Sequence, residues 1–224
     1  MADSMEAPSL LVLLGSPRRT GNSALLAEAV AESAEASGAR VKVRFLADYI
    51  DGFLRDCRDC RHADGSCSID DGYRDLFLDD FLPADGVIFA SPVYWYGVSA
   101  QLKAFLDRSF CYYAASYPAS EDVIRAMTGK QLGLVLASEE SYPGVIQGPV
   151  HQFQEYARYT HSRLVGIIHG VGNSRGEIAR DPGNPLKAAQ DLGRQFFSRG
   201  YSDYRLDTVR SSRVWPEGSR SVPD

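Results

Sequence analysis

LLVLLGSPRRTGNS, the stretch from Leu10 to Ser23, decides the fold of this chain. Its apolar first part, Leu10 to Leu14, predicts a buried strand, and the helical spacing that starts at Ala24 predicts a helix. A short loop of small and hydroxyl-bearing residues joins the two. Free backbone N–H groups at a helix start, together with the positive end of the helix dipole, bind phosphate well. The stretch therefore predicts a strand–loop–helix unit that binds a phosphate group.

Side chains of this loop supply further donors and positive charge, and they belong to Ser16, Arg18, Arg19, Thr20, Asn22 and Ser23. The loop differs from the two best-known phosphate loops. Gly15 and Gly21 are one residue too far apart for a Walker loop, no Lys follows Gly21, and the G-x-G-x-x-G pattern is missing. The phosphate therefore belongs to something other than ATP or a Rossmann-bound dinucleotide. The alternative is an ordinary strand–turn–helix with a polar N-cap.

The composition limits the class of protein. With 224 residues, 44% of them hydrophobic, the chain can build one domain with a substantial core. Its net charge of −5 argues against a nucleic-acid-binding surface. No stretch is long and apolar enough to span a membrane, and residues 1–9 lack a signal-peptide pattern. We therefore expect a cytoplasmic protein whose four cysteines are thiols or metal ligands rather than disulfides.

Apolar runs and helical patterns alternate along the chain. The predicted strands are Leu10–Leu14, Val41–Phe45, Val87–Ala90, Leu132–Leu136 and Leu164–Ile168. The predicted helices are Ser23–Ser37, Tyr73–Leu82, Val98–Phe110, Val150–Arg163 and Pro185–Arg199. This alternation predicts an α/β domain, residues 1–200, with a five-stranded parallel sheet covered by helices on both faces. Residues 48–72 are predicted to be an irregular, Cys-bearing insertion, and residues 201–224 a polar C-terminal extension.

A second loop, SPVYWYG from Ser91 to Gly97, follows the third predicted strand. In a parallel sheet it lies on the same edge as the first loop, where ligands of such sheets bind. Three successive aromatic residues at a strand end can supply flat apolar walls for a ring-shaped ligand. Alternatively, Tyr94 and Trp95 pack over the next helix.

Taken together, GSPRRTGNS after the first strand and SPVYWYGVSAQLKAFLDR after the third resemble the flavodoxin-like NAD(P)H-dependent FMN reductases. The resemblance includes the branch with the iron–sulfur flavoproteins and covers roughly residues 10–200. It implies a doubly wound sheet of strand order 2-1-3-4-5. It also implies FMN as cofactor, NAD(P)H as co-substrate and a homodimer or homotetramer.

The resemblance further implies where FMN binds. Its phosphate would contact the first loop, through Ser16, Arg18, Thr20, Asn22 and Ser23. Its ring would lie against the second loop, formed by Pro92, Val93, Tyr94, Trp95, Tyr96 and Gly97. A third loop, from Ala137 to Tyr142, would reach the other edge of the ring through Ser138.

Three cysteines in the insertion, Cys57, Cys60 and Cys67, are candidate metal ligands. Cluster-bearing members of the similar family carry a third cysteine where this chain has Ala63. Because a [4Fe–4S] cluster normally needs four thiolates, this departure argues against an iron–sulfur cluster unless His62 or Cys111 completes the set. Zinc bound by three cysteines and His62 is a second alternative, and a turn without metal is the third.

The function predicted from these features is FMN-dependent oxidoreduction, in which the flavin carries the chemistry and no side chain acts as a catalytic acid or base. The enzyme would either reduce a quinone, azo compound or free flavin, or dehydrogenate a biosynthetic intermediate in the manner of aminodeoxychorismate dehydrogenases. A flavodoxin-like electron carrier and a phosphate-binding regulatory domain are the alternatives. The other candidate groups are assigned no role in chemistry: His151, His161 and His169 are expected to be structural or exposed, and Asp70, Asp71, Asp79 and Asp80 to be helix caps or a solvated face.

Overall fold

The computed structural model describes residues 6–55 and 61–199 of the chain. The strands are β1 (Ser9–Leu14), β2 (Arg40–Phe45), β3 (Gly86–Pro92), β4 (Gln131–Ser138) and β5 (Arg163–Val171). The helices are α1 (Asn22–Ala36), α2 (Tyr73–Asp75), α3 (Ala100–Tyr113), α4 (Ser120–Met127), α5 (Gln147–Tyr159) and α6 (Pro185–Gln195). Within the described residues, every helix is too short or too polar to cross a membrane.

All five strands form one parallel sheet with the order β2-β1-β3-β4-β5. This confirms the predicted fold class, including the strand order. The chain runs outward from β1 to β2 and then returns to place β3 on the other side of β1. The topological switch point therefore lies between the carboxyl ends of β1 and β3, where the first and second loops begin.

Both faces of the sheet are buried, because helices cover each of them. On one face, Leu11, Leu13 and Phe89 pack with the large aromatic side chains of the helices after β2, β3 and β4. On the other face, Leu10, Val12 and Leu14 pack against α1 and α6, and α1 contributes mostly alanines there. Successive side chains of β1 point to opposite faces of the sheet, and because both faces are covered, nearly every residue of β1 is buried. As expected from its sequence, β2 is the half-exposed edge strand.

Two helical segments differ from the sequence prediction. The predicted helix Tyr73–Leu82 is a single α-turn, α2, followed by a π-helix from Leu76 to Phe81. The sequence prediction also lacks α4, because this helix is short and buries only Val123 and Met127, too few positions to show a helical period. In the insertion, residues 49–55 and 61–72 contain an isolated bridge between Arg61 and Cys67. The predicted extension, 201–224, lies outside the described residues.

The prediction that Asp71 and Asp80 are solvated was wrong. Gly72, not Asp71, is the N-cap of α2, although Asp71 Oδ1 accepts from the Tyr73 N–H at 3.1 Å. The Asp71 side chain is buried and receives two hydrogen bonds, of 2.6 and 2.7 Å, from the equally buried Arg108. Asp80 pairs with Lys42 and Arg44 of β2, at 2.8 and 2.7 Å. The basic residues that pair with Asp71 and with Asp80 lie in segments far from these aspartates in the sequence.

The Asp71–Arg108 pair ties the end of the insertion to α3. Arg108 also donates to the carbonyl of Gly52 at 3.1 Å, and its guanidinium lies 4.2 Å from the centre of the Tyr73 ring. Burial is the largest single influence on the pKa of Asp71 and raises it. The hydrogen bonds from Arg108, those from the N–H groups of Asp51 and Tyr73, and the Arg108 charge together outweigh burial and hold the pKa of that carboxyl below its usual value. The pair therefore stabilises the fold while Asp71 is charged, and this contribution is lost as the pH falls through the lowered pKa.

Replacing Asp71 with Asn should destabilise the fold by about 3–5 kcal/mol at pH 7, because it leaves the Arg108 charge buried without a carboxylate. Urea unfolding of the variant and of the wild type measures the difference. The difference should shrink below about pH 4, where the wild-type carboxyl also becomes protonated. Asp70→Asn, at the exposed neighbouring position, is the matched control. Equal destabilisation by both variants would contradict the proposed role of the buried pair.

Candidate functional site

The first and second loops are held together at the switch point by hydrogen bonds between their starts. The Gly15 N–H donates to the carbonyl of Ala90 at 2.7 Å. Ser99, the N-cap of α3, donates its hydroxyl to the carbonyl of Gly15 at 2.8 Å, and its own N–H donates to Ser91 Oγ at 2.9 Å. The two loops therefore form one rigid rim rather than two independent segments.

Gly15 is required at this point for steric reasons. A Cβ atom there would lie 2.6 Å from Ser99 Oγ and 2.9 Å from Leu102 Cβ, closer than real contacts allow. The absence of a side chain lets the end of β1 touch the start of α3. This contact sets where the first loop leaves the sheet.

The first loop delivers its backbone to the start of α1. Gly21 is the N-cap, and the first helical hydrogen bonds run to its carbonyl from the N–H groups of Ala24 and Leu25. The N–H groups of Asn22 and Ser23 precede these bonds, so they lie at the open end of the helix, where anions bind. The hydroxyl-bearing residues Ser16 and Ser23 are buried beneath the loop.

The polar side chains of this loop divide into two groups. Arg18 and Thr20 are exposed. Asn22, in contrast, donates its side-chain amide to the carbonyls of Gly172 and Ser174, at 2.8 and 3.1 Å, and so ties the start of α1 to the segment after β5. Arg19 is held by Asp48 at 2.6 Å and lies 4.5 Å from the centre of the Phe45 ring. Arg18 is therefore the arginine of this loop whose charge no described acidic residue neutralises.

The second loop contains a tight turn with unusual backbone angles. The N–H and C=O groups of Tyr94 and Gly97 bond each other reciprocally, both at 3.0 Å, around the two central residues. Those residues, Trp95 and Tyr96, have φ angles of 48° and 59°. Such two-residue turns favour Asn-Gly, and each larger side chain in this left-handed region costs about 1–3 kcal/mol. The rest of the fold therefore holds two aromatic rings in a strained position.

A cleft of about 560 Å³ lies beside this turn. Its lining residues come from the second and third loops and are Val93, Tyr94, Trp95, Tyr96, Ser138, Glu139, Glu140 and Val145. The third loop follows β4 directly, and the second loop is joined to it because the Val93 N–H donates to the carbonyl of Ala137 at 2.8 Å. Trp95 is 96% exposed, so its ring stands free at the mouth of the cleft. Size and lining suit a flat, ring-shaped molecule.

Sequence reasoning singled out Ser138 but missed the two glutamates beside it. Tyr96 donates its hydroxyl to the Glu140 carboxylate, 3.2 Å from each oxygen. Hydrogen bonds with Tyr142 and Glu140 raise the pKa of Tyr96. None of the residues lining the cleft is basic. The motif "EE" in the third loop could have indicated an acidic cleft, but nothing in the sequence showed which way the carboxylates point.

His169 was also missed, since it was expected to be structural or exposed. It lies in β5, half-buried, and its Nε2 is 2.7 Å from Ser138 Oγ. Burial lowers the pKa of His169, although the nearby Asp181 carboxylate partly opposes this shift. His169 is thus joined to a residue that lines the cleft, and only the pairing of β4 with β5 could reveal this.

Of the three predicted metal ligands, only Cys67 lies within the described residues. Cys57 and Cys60 lie outside the described residues. Cys67 is buried, and a hydrogen bond with the buried Cys111 thiol is the largest cause that lowers its pKa. His62 is exposed. Within residues 6–55 and 61–199, no group of three or more His, Cys, Asp or Glu side chains gathers as metal ligands.

The doubly wound sheet, the helix-start loop and the aromatic cleft at the switch point define a flavodoxin-like flavoprotein. Residues 8–153 match the family described as NADPH-dependent FMN reductase, and the chain belongs to that family. It is accordingly a flavin-dependent oxidoreductase with FMN as its cofactor.

Individual relatives agree with this assignment. YwqN of Bacillus subtilis, which carries the name of an NAD(P)H-dependent FMN-containing oxidoreductase, is 30% identical over 82% of this chain and 95% of its own length. An iron–sulfur flavoprotein of Archaeoglobus fulgidus is 29% identical over 87% of this chain and 81% of its own length.

Among solved structures, an FMN-dependent NADH-azoreductase of Bacillus anthracis in complex with FMN shares the fold, with a TM-score of 0.63. It is 12% identical, and the match covers 84% of this chain and 99% of that one.

Replacing Trp95 with Asn and Tyr96 with Gly should relieve the strained turn and raise the free energy of unfolding by about 1–3 kcal/mol. The matched control is the double substitution Trp95→Ala and Tyr96→Ala, which removes the same rings but keeps a side chain at each strained position. Thermal and urea unfolding of both proteins separate the two effects. If the alanine variant gained as much stability as the Asn-Gly variant, the strain argument would fail.

Proposed function

We propose that this flavin-dependent oxidoreductase transfers a hydride from NAD(P)H to a flat, uncharged or cationic small molecule, with FMN bound across the first and second loops. The observation that carries the proposal is the hydrogen-bonded rim at Gly15, Ala90 and Ser99. It joins the strand ends from which the loop before α1 and the loop that lines the cleft leave the sheet. A terminal phosphate and a planar ring need an anion-binding helix start and an aromatic cleft together.

The residues present fit FMN. At the phosphate end, N–H groups of Asn22 and Ser23, the hydroxyls of Ser16, Thr20 and Ser23, and the charge of Arg18 would hold the anion. At the ring end, the ring would lie against Val93, Tyr94, Trp95, Tyr96 and Ser138, which line the cleft, and against Pro92 and Gly97, which flank them in the second loop but are not among the lining residues. Asn22 would contribute its backbone, since its side-chain amide already bonds Gly172 and Ser174. When bound, FMN supplies the capacity to accept and donate a hydride.

The residues of the chain itself would bind the cofactor and orient the substrate. The aromatic side chains of Tyr94 and Trp95 offer planar surfaces that can align a substrate ring with the flavin. The strained turn fixes these surfaces before a substrate arrives, so that less ordering is needed on binding. Reaction with NAD(P)H needs no protein acid or base, because hydride transfer moves the electrons and the hydrogen together.

The charge of the cleft favours one class of acceptor over another. Glu139 and Glu140 line it, and none of the lining residues is basic. An acidic intermediate, as in the aminodeoxychorismate-like alternative, would meet like charges there. Neutral quinones and azo compounds would meet no such repulsion. The acidic cleft is therefore the observation that favours acceptor reduction over dehydrogenation of a carboxylate-bearing substrate.

Replacing Arg18 or Ser23 with Ala should weaken FMN binding about tenfold, because charge-assisted and helix-start contacts to phosphate are the strong ones. Quenching of flavin fluorescence during titration of the apoprotein measures the affinity. Arg125→Ala, on the exposed face of α4, is the matched control. Unchanged affinity in both loop variants, with FMN bound tightly, would show that the phosphate lies elsewhere.

Replacing Glu139 with Gln should raise kcat/KM for an anionic quinone sulfonate about threefold to tenfold and leave that for the neutral parent quinone unchanged. The reason is loss of one like charge at close range. Glu121→Gln, on the exposed first turn of α4, is the control. If the protein binds FMN but NAD(P)H is not oxidised with any of the acceptors, the protein is an electron carrier instead. Equal gains for both quinones would contradict the electrostatic argument.

Other features remain predictions. We expect an assembly of two or four copies, because the exposed aromatic rings of Tyr94, Trp95 and Tyr96 offer a contact surface beside the cleft. A cytoplasmic location and the absence of nucleic-acid partners rest on composition alone. An iron–sulfur cluster or zinc at Cys57, Cys60 and Cys67 rests on the sequence pattern and on relatives named iron–sulfur flavoproteins.

A further inference from the structure

We infer that Ser138 and His169 form a proton relay that delivers a proton to the acceptor while it is reduced in the cleft. This inference rests on the proposed function, because it assigns the source of the proton that a quinone or azo acceptor takes up besides the hydride. Ser138 is the catalytic residue, since it touches the acceptor. His169 acts through it.

The pairing of β4 with β5 brings the two side chains together. Leu136 pairs with His169 in the register, and Ser138 pairs with Val171, so Ser138 and His169 are diagonal neighbours on one side of the sheet. Ser138 Oγ and His169 Nε2 are 2.7 Å apart, a short hydrogen bond. Ser138 is the last residue of β4 and lines the cleft, whereas His169 lies behind it. His169 is not among the residues that line the cleft, and its hydrogen bond to Ser138 connects the imidazole with it.

The number of hydrogens on each group determines which atom of the Ser138–His169 pair is the donor. A serine hydroxyl has one hydrogen, and here it is donated to the carbonyl of Glu140 at 2.7 Å. The hydrogen between Ser138 and His169 must then be carried by His169 Nε2. The chain of donors therefore runs from the imidazole to the serine and from the serine into the loop that borders the cleft. An acceptor oxygen or nitrogen that replaces the Glu140 carbonyl becomes the end of this chain.

The charged groups around the pair allow His169 to take up and release a proton. Asp181 faces it from the segment before α6, held in place because its two oxygens accept from the N–H groups of Val171 and Gly183, both at 2.7 Å. Glu139 and Glu140 line the cleft on the side of Ser138. The Asp181 carboxylate favours the imidazolium. Burial favours the neutral ring and prevails, so the pKa of His169 is lowered.

The atoms and electrons of the step balance as follows. The acceptor, for example a quinone, gains a hydride that NAD(P)H supplies through the flavin. Its oxygen gains the Ser138 hydrogen as the Ser138 O–H bond breaks. Ser138 takes the hydrogen of His169 Nε2, and the imidazolium becomes neutral. Solvent then returns a proton to His169. In total, NAD(P)H, one proton and the acceptor give NAD(P)⁺ and the acceptor with two added hydrogens.

The test uses the FMN-loaded protein with two acceptors. A neutral benzoquinone needs a proton on reduction, whereas hexaammineruthenium(III), a cation that the acidic cleft does not repel, takes one electron at a time and needs none. His169→Gln, which keeps a donor that cannot titrate, and Ser138→Ala should each lower kcat with the quinone about 100-fold. In His169→Gln, turnover with hexaammineruthenium(III) should change less than twofold. Ser138→Thr should restore most of the quinone activity, and His151→Gln, at an exposed position on α5, should match the wild type.

The pH profile and the apoprotein supply independent readouts. In the wild type, kcat with the quinone should fall as the pH rises through the pKa of His169, and this limb should vanish in His169→Gln. NMR of the apoprotein should show the hydrogen of neutral His169 on Nε2 in the wild type and redistributed in Ser138→Ala. Unchanged quinone turnover and pH profile in His169→Gln would overturn the relay. Failure of the wild type to oxidise NAD(P)H with either the quinone or hexaammineruthenium(III) would instead overturn the proposed function.

Discussion

The contact between Gly15 and Ser99 is the constraint on which the site depends. A strand end and a helix start can approach this closely only because Gly15 lacks a side chain. The resulting hydrogen bonds connect the carboxyl ends of β1 and β3, which parallel pairing has already brought side by side. The first loop then leads into the open N-terminus of α1, and the second loop into the aromatic turn. The contact of the Gly15 backbone with the Ser99 side chain thus sets how the two loops lie relative to each other.

The strained turn fits this picture, because strain persists only where the surroundings determine the backbone. The second loop is fixed on one side by Ser91 and Ser99 and on the other by the hydrogen bond from Val93 to Ala137. Between these anchors, Trp95 and Tyr96 adopt left-handed angles and expose their rings. Such a costly arrangement beside a cleft is typical of a binding site, where stability is lost in exchange for preorganisation.

The sequence predicted those features whose signals are local. The apolar run before Gly15, the polar helix start and the SPVYWYG loop each occupy a short stretch, and alternation of strands and helices restricts the topology. The Asp71–Arg108 pair, the Ser138–His169 pair and the direction of the glutamates depend on contacts between segments far apart in the chain. The sequence around a histidine in a strand does not show which residue lies next to it on the neighbouring strand. The register of β4 against β5 decides it, and no single-sequence pattern encodes that register.

These non-local contacts complete the chemistry of the cleft. An aromatic turn alone would bind any flat ring, and the loop at α1 alone would bind any phosphate. The third loop adds two properties that neither supplies. Glu139 and Glu140 add carboxylates to the cleft, and Ser138 joins the cleft to the half-buried imidazole of His169. Reduction of a neutral quinone consumes a proton, so the proposed acceptor would meet both properties: carboxylates that do not repel it and the hydrogen-bonded Ser138–His169 pair. The same pair would have no use in a carrier that only exchanges electrons.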